Sequence, residues 1–116
     1  MVEKQSRFAL MIANLIQKAN HIGYKVTFAE AYRPPDVAKL YAKEKKGISN
    51  SLHCQRLAVD LNVFKNGVWL KKGEDYEDLG KYWESIGGCW GQRFLDSFGR
   101  PNPDGNHFSL EHNGIK

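Results

Sequence analysis

The residues of this chain best equipped for chemistry fall in two segments, Ser51-Leu52-His53-Cys54-Gln55-Arg56-Leu57-Ala58-Val59-Asp60 and Asp104-Gly105-Asn106-His107-Phe108. Between them they supply two imidazoles, one carboxylate that can act as a ligand and one spare. A hydrolytic zinc site takes three protein ligands through nitrogen or oxygen, keeps a fourth position for water and lowers the pKa of that water to about 7. His53, Asp60 and His107 fill that quota. A hydrolase also needs a group that takes the proton of water and delivers it to the leaving amine. Asp104 is the candidate, because its Gly-Asn turn can point the carboxylate at water instead of at the ion; Glu111 is a rival. The oxyanion of the transition state calls for a further donor, and a guanidinium offers two parallel N–H groups. Arg33, followed by Pro34-Pro35, is favoured, and the bland reading of Arg56 and Arg93 is that of surface arginines.

His53 and Asp60 are seven residues apart and cannot share one helical face as the histidines of His-Glu-x-x-His do. They suit a loop and the strand it enters. Leu57 to Phe64 alternates apolar and polar residues, then Lys65-Asn66-Gly67 and Val68-Trp69-Leu70 follow, which predicts a hairpin turning at Asn-Gly with Asp60 on its first strand. Phe8, Met11, Ile12, Leu15, Ile16 and Ala19 recur at helical spacing and predict an amphipathic helix from about Lys4 to His21, stopped by Gly23. Tyr24 to Arg33 is rich in β-branched and aromatic residues, a strand that delivers Arg33 to its end. A short helix is expected from Asp36 to Lys46, ended by Gly47, with Val37, Leu40 and Tyr41 on one face and a solvated lysine face opposite. Ile48 to Leu52 reads as loop. A further helix spans Tyr76 to Ile86, with Leu79, Tyr82, Trp83 and Ile86 inward and Gly87-Gly88 closing it. A Gly- and Pro-marked loop then leads to a last strand at His107 to Leu110. This order predicts an α+β fold, a small single domain over residues 1–116 with an antiparallel sheet packed against about three helices.

With 116 residues the chain suits one domain. No apolar run nears the roughly 20 residues that span a bilayer. The segment Met1-Val-Glu-Lys-Gln-Ser-Arg lacks the apolar stretch of a secretory signal, so synthesis is expected to finish in the cytoplasm. The net charge of +4 modestly favours an anionic partner without selecting one. Cys54 and Cys89 are too few for a disulfide framework and read as reduced thiols. A zinc role for Cys54 is disfavoured because neighbouring side chains on an extended backbone point to opposite faces.

Ser51-x-His53-x6-Asp60, followed by acid-x-x-His-aromatic at Asp104 to Phe108, resembles the zinc D-Ala-D-Ala peptidase family, and especially its branch of phage L-alanyl-D-glutamate endolysins. Glu30-Ala-Tyr-Arg33-Pro resembles the family's arginine-bearing strand, Ala58 also falls on the first metal motif, and Trp90-Gly91 is similar to the Trp-Gly ahead of the last motif. The resemblance implies His53, Asp60 and His107 as ligands of one zinc ion, Asp104 as general acid/base, and Arg33 as the group that orients or stabilises the scissile carbonyl. It implies Ser51 as a supporting serine, with Trp90 as a supporting or substrate-binding residue, and a small α+β fold. Three departures stand out. Arg56 occupies a position that is usually glycine, Asp104 is Asp as in the endolysin branch where dipeptidase-type members have Glu, and Leu95 to Pro103 is longer than usual.

The expected function is therefore a zinc endopeptidase cutting the L-alanyl-D-glutamate bond of peptidoglycan stem peptides. It would be a monomeric phage or prophage lysin acting on the wall after release, with neither nucleic acid nor membrane as partner. A D,D-carboxypeptidase trimming terminal D-Ala is the alternative within the class, and an inactive zinc-stabilised wall-binding module the alternative outside it. Nucleic-acid binding rests only on charge and on scattered aromatics, Tyr32, Trp69, Trp83 and Trp90, which core or cleft-wall positions explain more simply.

Overall fold

The computed structural model describes residues 1–44 and 51–116. Helix α1 (Val2–His21) buries Phe8, Met11, Ile12, Leu15 and Ala19, the stripe its periodicity predicts. Helix α2 spans Pro35–Lys43 and α3 spans Glu77–Ser85, the latter preceded by a 3-10 turn at Gly73–Tyr76. In α2 the expected face is partly corrected: Ala38 is the buried residue and Leu40 is exposed. The predicted end of that helix at Gly47, with Lys45 and Lys46, and the loop at residues 48–50 lie outside the described residues.

Strands β1 (Lys25–Phe28), β2 (Ala58–Lys65), β3 (Val68–Leu70), β4 (Cys89–Trp90) and β5 (His107–Ser109) pair antiparallel throughout. The path runs β1-β2-β5-β4, and β3 folds back on β2. Asn66 and Gly67 both take positive φ (52° and 77°), as a tight Asn-Gly hairpin turn requires. Strand β2 is the spine of the sheet. Its first residues, Ala58 to Asp60, pair with β5, and Val63 to Lys65 pair with β3, so β5 and β3 share one edge with an interval between them at Leu61-Asn62. Strand β1 holds the opposite edge, with Val26 facing Val63 and Phe28 facing Leu61.

The core lies between the sheet, α1 and α3. Trp83 is fully buried, meets Phe8 and Phe108 edge to face at centroid distances of 5.8 and 6.1 Å, and its Nε1–H donates to the carbonyls of Cys89 and Ser109. It therefore ties α3 to both α1 and the β4–β5 pair. The expected α+β architecture is what forms, and two strand assignments change. The strand read as Tyr24–Arg33 stops at Phe28, and β4 is an added strand only two residues long.

Candidate metal centre

Asp60 on β2 and His107 on β5 are direct cross-strand partners, so their side chains rise from the same face of the sheet a few ångströms apart. Nδ1 of His107 lies 3.1 Å from Asp60 Oδ1. His53 arrives from outside the sheet, on a 3-10 turn (Leu52–Gln55) that is capped where the His53 N–H donates to Ser51 Oγ at 3.2 Å. Nε2 of His53 then lies 3.4 Å from the same Asp60 oxygen. One ligand atom from each of the three residues falls within 4.8 Å of the others. Two of the separations, 3.1 and 3.4 Å, match those of ligands held about 2.1 Å from a tetrahedral ion.

The hydrogen bonds fix which nitrogens face inward. Nδ1 of His53 lies 2.9 Å from the Ala31 carbonyl, which can only accept, so Nδ1 carries the proton and Nε2 keeps its lone pair for an ion. His107 turns Nδ1 inward, and its buried Nε2 has no hydrogen-bond partner among the described residues. An imidazole that turns Nδ1 toward the carboxylate it shares with His53 is poised for an ion between them. The donor set of two nitrogens and one carboxylate suits zinc.

Burial disfavours charge on Asp60, but the bonds and charge of His107 and His53 outweigh it and hold its pKa at about 2. His53 likewise loses water on burial, yet Asp60, the Ala31 carbonyl and Glu30 together raise its pKa above the ordinary value. Asp104 lies at the rim, its Oδ2 3.9 Å from His107 Nδ1 and its side chain half-exposed. Crowding by protein, and then the Asp60 carboxylate, raise its pKa in spite of the two histidines.

The Asp104–His107 turn is held from beneath. The Asp104 N–H donates to the Gly91 carbonyl at 2.9 Å and the His107 N–H to the Asp104 carbonyl at 3.1 Å. A Cβ on Gly91 would come within 2.2 Å of the Asp104 carbonyl oxygen, so only glycine fits. Trp90, 2% exposed, donates from Nε1 to the Gly105 carbonyl at 2.7 Å, which makes it a buried support of this loop instead of a contact surface.

Arg33 is near the centre, but it is not on a strand as expected. After Phe28 the chain leaves regular pairing while still bonding to β2: the Ala29 N–H donates to the Asp60 carbonyl and the Asp60 N–H to the Glu30 carbonyl. The Arg33 N–H then donates to the His53 carbonyl at 3.1 Å, which pins this irregular stretch to the ligand turn. Glu30 is a residue that motif reasoning missed. Its Oε1 accepts from both Nε and Nη2 of Arg33 and lies 3.8 Å from His53 Nε2. The one available signal was its spacing of three from Arg33 in an extended segment.

The other candidates disperse. Glu111 is exposed beyond the end of β5, Arg93 pairs with Glu84 and stacks on Trp90, and Cys54 lies outside the ligand group. Arg56 takes a left-handed φ of 57°, which accounts for glycine being usual there, and lies 3.9 Å over the Tyr32 ring.

Against known proteins, a family model described as D-alanyl-D-alanine carboxypeptidase matches residues 44–110. Two solved structures share the fold. The Serratia marcescens L-Ala D-Glu endopeptidase ChiX aligns with TM-score 0.66 and 18% identity over 84% of this chain and 75% of its own. The vancomycin resistance D,D-pentapeptidase VanY, an E175A mutant from a VanB-type cassette in complex with Zn(II), aligns with TM-score 0.58 and 20% identity over 90% of this chain and 70% of its own. No curated protein matches.

Proposed function

Because this chain belongs to the D-alanyl-D-alanine carboxypeptidase family, we propose that it cleaves the L-alanyl-D-glutamate bond of peptidoglycan stem peptides as a phage or prophage endolysin. The chain is a metallopeptidase acting on peptidoglycan, and its cofactor is zinc. The observation that carries the reading is the convergence of His53 Nε2, Asp60 Oδ1 and His107 Nδ1 beside a half-exposed carboxylate at Asp104.

In this reading His53, Asp60 and His107 hold the zinc ion, which when bound lowers the pKa of water and polarises the scissile carbonyl. Asp104 takes a proton from the attacking water and returns it to the leaving nitrogen. Arg33 orients the carbonyl of the substrate. Glu30 occupies one side of its guanidinium and Tyr41 lies 5.1 Å from it, and among the described residues no other hydrogen-bond acceptor takes the remaining N–H groups. Ser51 and Ala31 act through His53 by fixing its turn and its tautomer.

The choice of bond is supported by Asp rather than Glu at position 104 and by the activity named for the Serratia structure. The family description favours a D,D-carboxypeptidase as the second reading. Mass spectrometry of muropeptides digested by the zinc-loaded protein separates the two. A new N-terminal D-glutamate is expected, and release of D-Ala alone would establish the carboxypeptidase.

A further inference from the structure

Beside Asp104 the interval between β3 and β5 opens into a cleft of about 500 Å³. Asn62 of β2 contributes to its lining, as do Trp69, Lys71 and Lys72 from the β3 side and Gln92 and Asp104 from the other. The two walls meet through glycine. A Cβ on Gly105 would come within 2.3 Å of the Gly73 Cα, so the two backbones pack closely, with the Gln92 side chain lying against both glycines. Lys72 and Asp104 each precede one of these glycines, and the contact holds them across the same cleft. Lys71 keeps its Nζ 5.0 Å from the Trp69 ring. Glu74 is the acid on the lysine side, and among the described residues neither lysine makes an ion pair with it.

The substrate chemistry gives this wall a use. In the L-alanyl-D-glutamate bond the leaving nitrogen sits on a carbon that bears a free α-carboxylate, because the peptide continues through the γ-carboxyl. In a D-Ala-D-Ala terminus the leaving nitrogen sits on a carbon that also bears a free carboxylate. Either bond therefore brings a negative charge next to the nitrogen that Asp104 protonates. Two carboxylates at that separation repel unless a cation stands between or beside them.

We propose that Lys71 and Lys72 form the subsite for the free α-carboxylate of the residue on the leaving side of the scissile bond. The subsite rests on the peptidase reading above, and it selects acidic over amidated stem peptides.

The test uses two peptide pairs with the zinc-loaded chain: L-alanyl-γ-D-glutamyl-L-lysine against its α-amide, and a D-Ala-D-Ala peptide against its C-terminal amide. For the bond that is cleaved, kcat/KM for the acid should exceed that for the amide by about tenfold, carried mainly by KM. The double variant Lys71→Met, Lys72→Met should bring that ratio near one, and Lys71→Arg, Lys72→Arg should restore it. Circular dichroism of the Met variant checks that the fold is intact. A parent ratio near one, or a ratio that the Met variant leaves unchanged, overturns the subsite and leaves the peptidase reading standing. A parent inert on all four peptides overturns that reading and the subsite with it.

Discussion

Asp60 is the residue on which the site turns, since one of its oxygens faces both imidazoles. Its lowered pKa and the raised pKa of His53 shape how the stability of the metal-free protein varies with pH. The Asp60 contribution is present above its unfolded value of about 3.9 and is lost as pH falls toward about 2. The His53 contribution is present below its unfolded value of about 6.5 and is lost as pH rises through the folded value. Metal-free protein should therefore melt highest between about pH 4 and 6.5, and calorimetry across that range checks it; a melting temperature that climbs from pH 6 to 8 without metal contradicts the coupling. At Asp104, Asn preserves shape and removes proton transfer. Asp104→Asn should keep zinc and fold while losing about 10²- to 10⁴-fold in kcat, as zinc content and peptide turnover together report; parental turnover would reassign the acid/base. That His53, Asp60 and His107 come together, with Asp104 beside them, was legible because few residue types suit zinc or proton transfer and because the His53–Asp60 spacing excludes a shared helix. The role of Glu30 was not, because a hydrogen bond from Asp60 across irregular backbone brings it to the site, and its spacing from Arg33 alone does not encode that contact.

At the scale of elements, helices α1 and α3 and the β2–β3 hairpin were legible because each has a strong periodic or turn signal that packing reinforces. The end of β1 was not. Its composition continues to favour a strand through Tyr32, but the chain turns away after Glu30 to bond His53, and that tertiary demand overrides propensity. Strand β4, at two residues, is too short for any period to register. It matters all the same, because it places Trp90 and Gly91 under the Asp104–His107 turn. Gly91→Ala should destabilise the fold by about 1 to 3 kcal/mol and weaken zinc binding together, since the added methyl displaces both the Asp104 carbonyl and the His107 Cβ. Denaturant unfolding and zinc titration of the variant measure the pair of effects; loss of stability with unaltered zinc affinity would separate the turn from the metal centre.

Across the whole molecule, the three proposed ligands come from a 3-10 turn, a central strand and a strand some fifty residues later, so an ion held by all three would join distant parts of the chain. Such an ion binds the folded state alone and stabilises it by mass action, about 2.7 kcal/mol at a free concentration one hundred times its Kd. Adding zinc should raise the melting temperature and a chelator should reverse the gain, with the shift growing as pH rises and the proton leaves His53. The most direct test of the centre is an anomalous difference map recorded on either side of the zinc absorption edge from crystals of the zinc-loaded protein. The account predicts one strong peak bonded to His53 Nε2, Asp60 Oδ1 and His107 Nδ1, with Asp104 close by but not coordinated. A peak held by other residues, or none at this position, contradicts it.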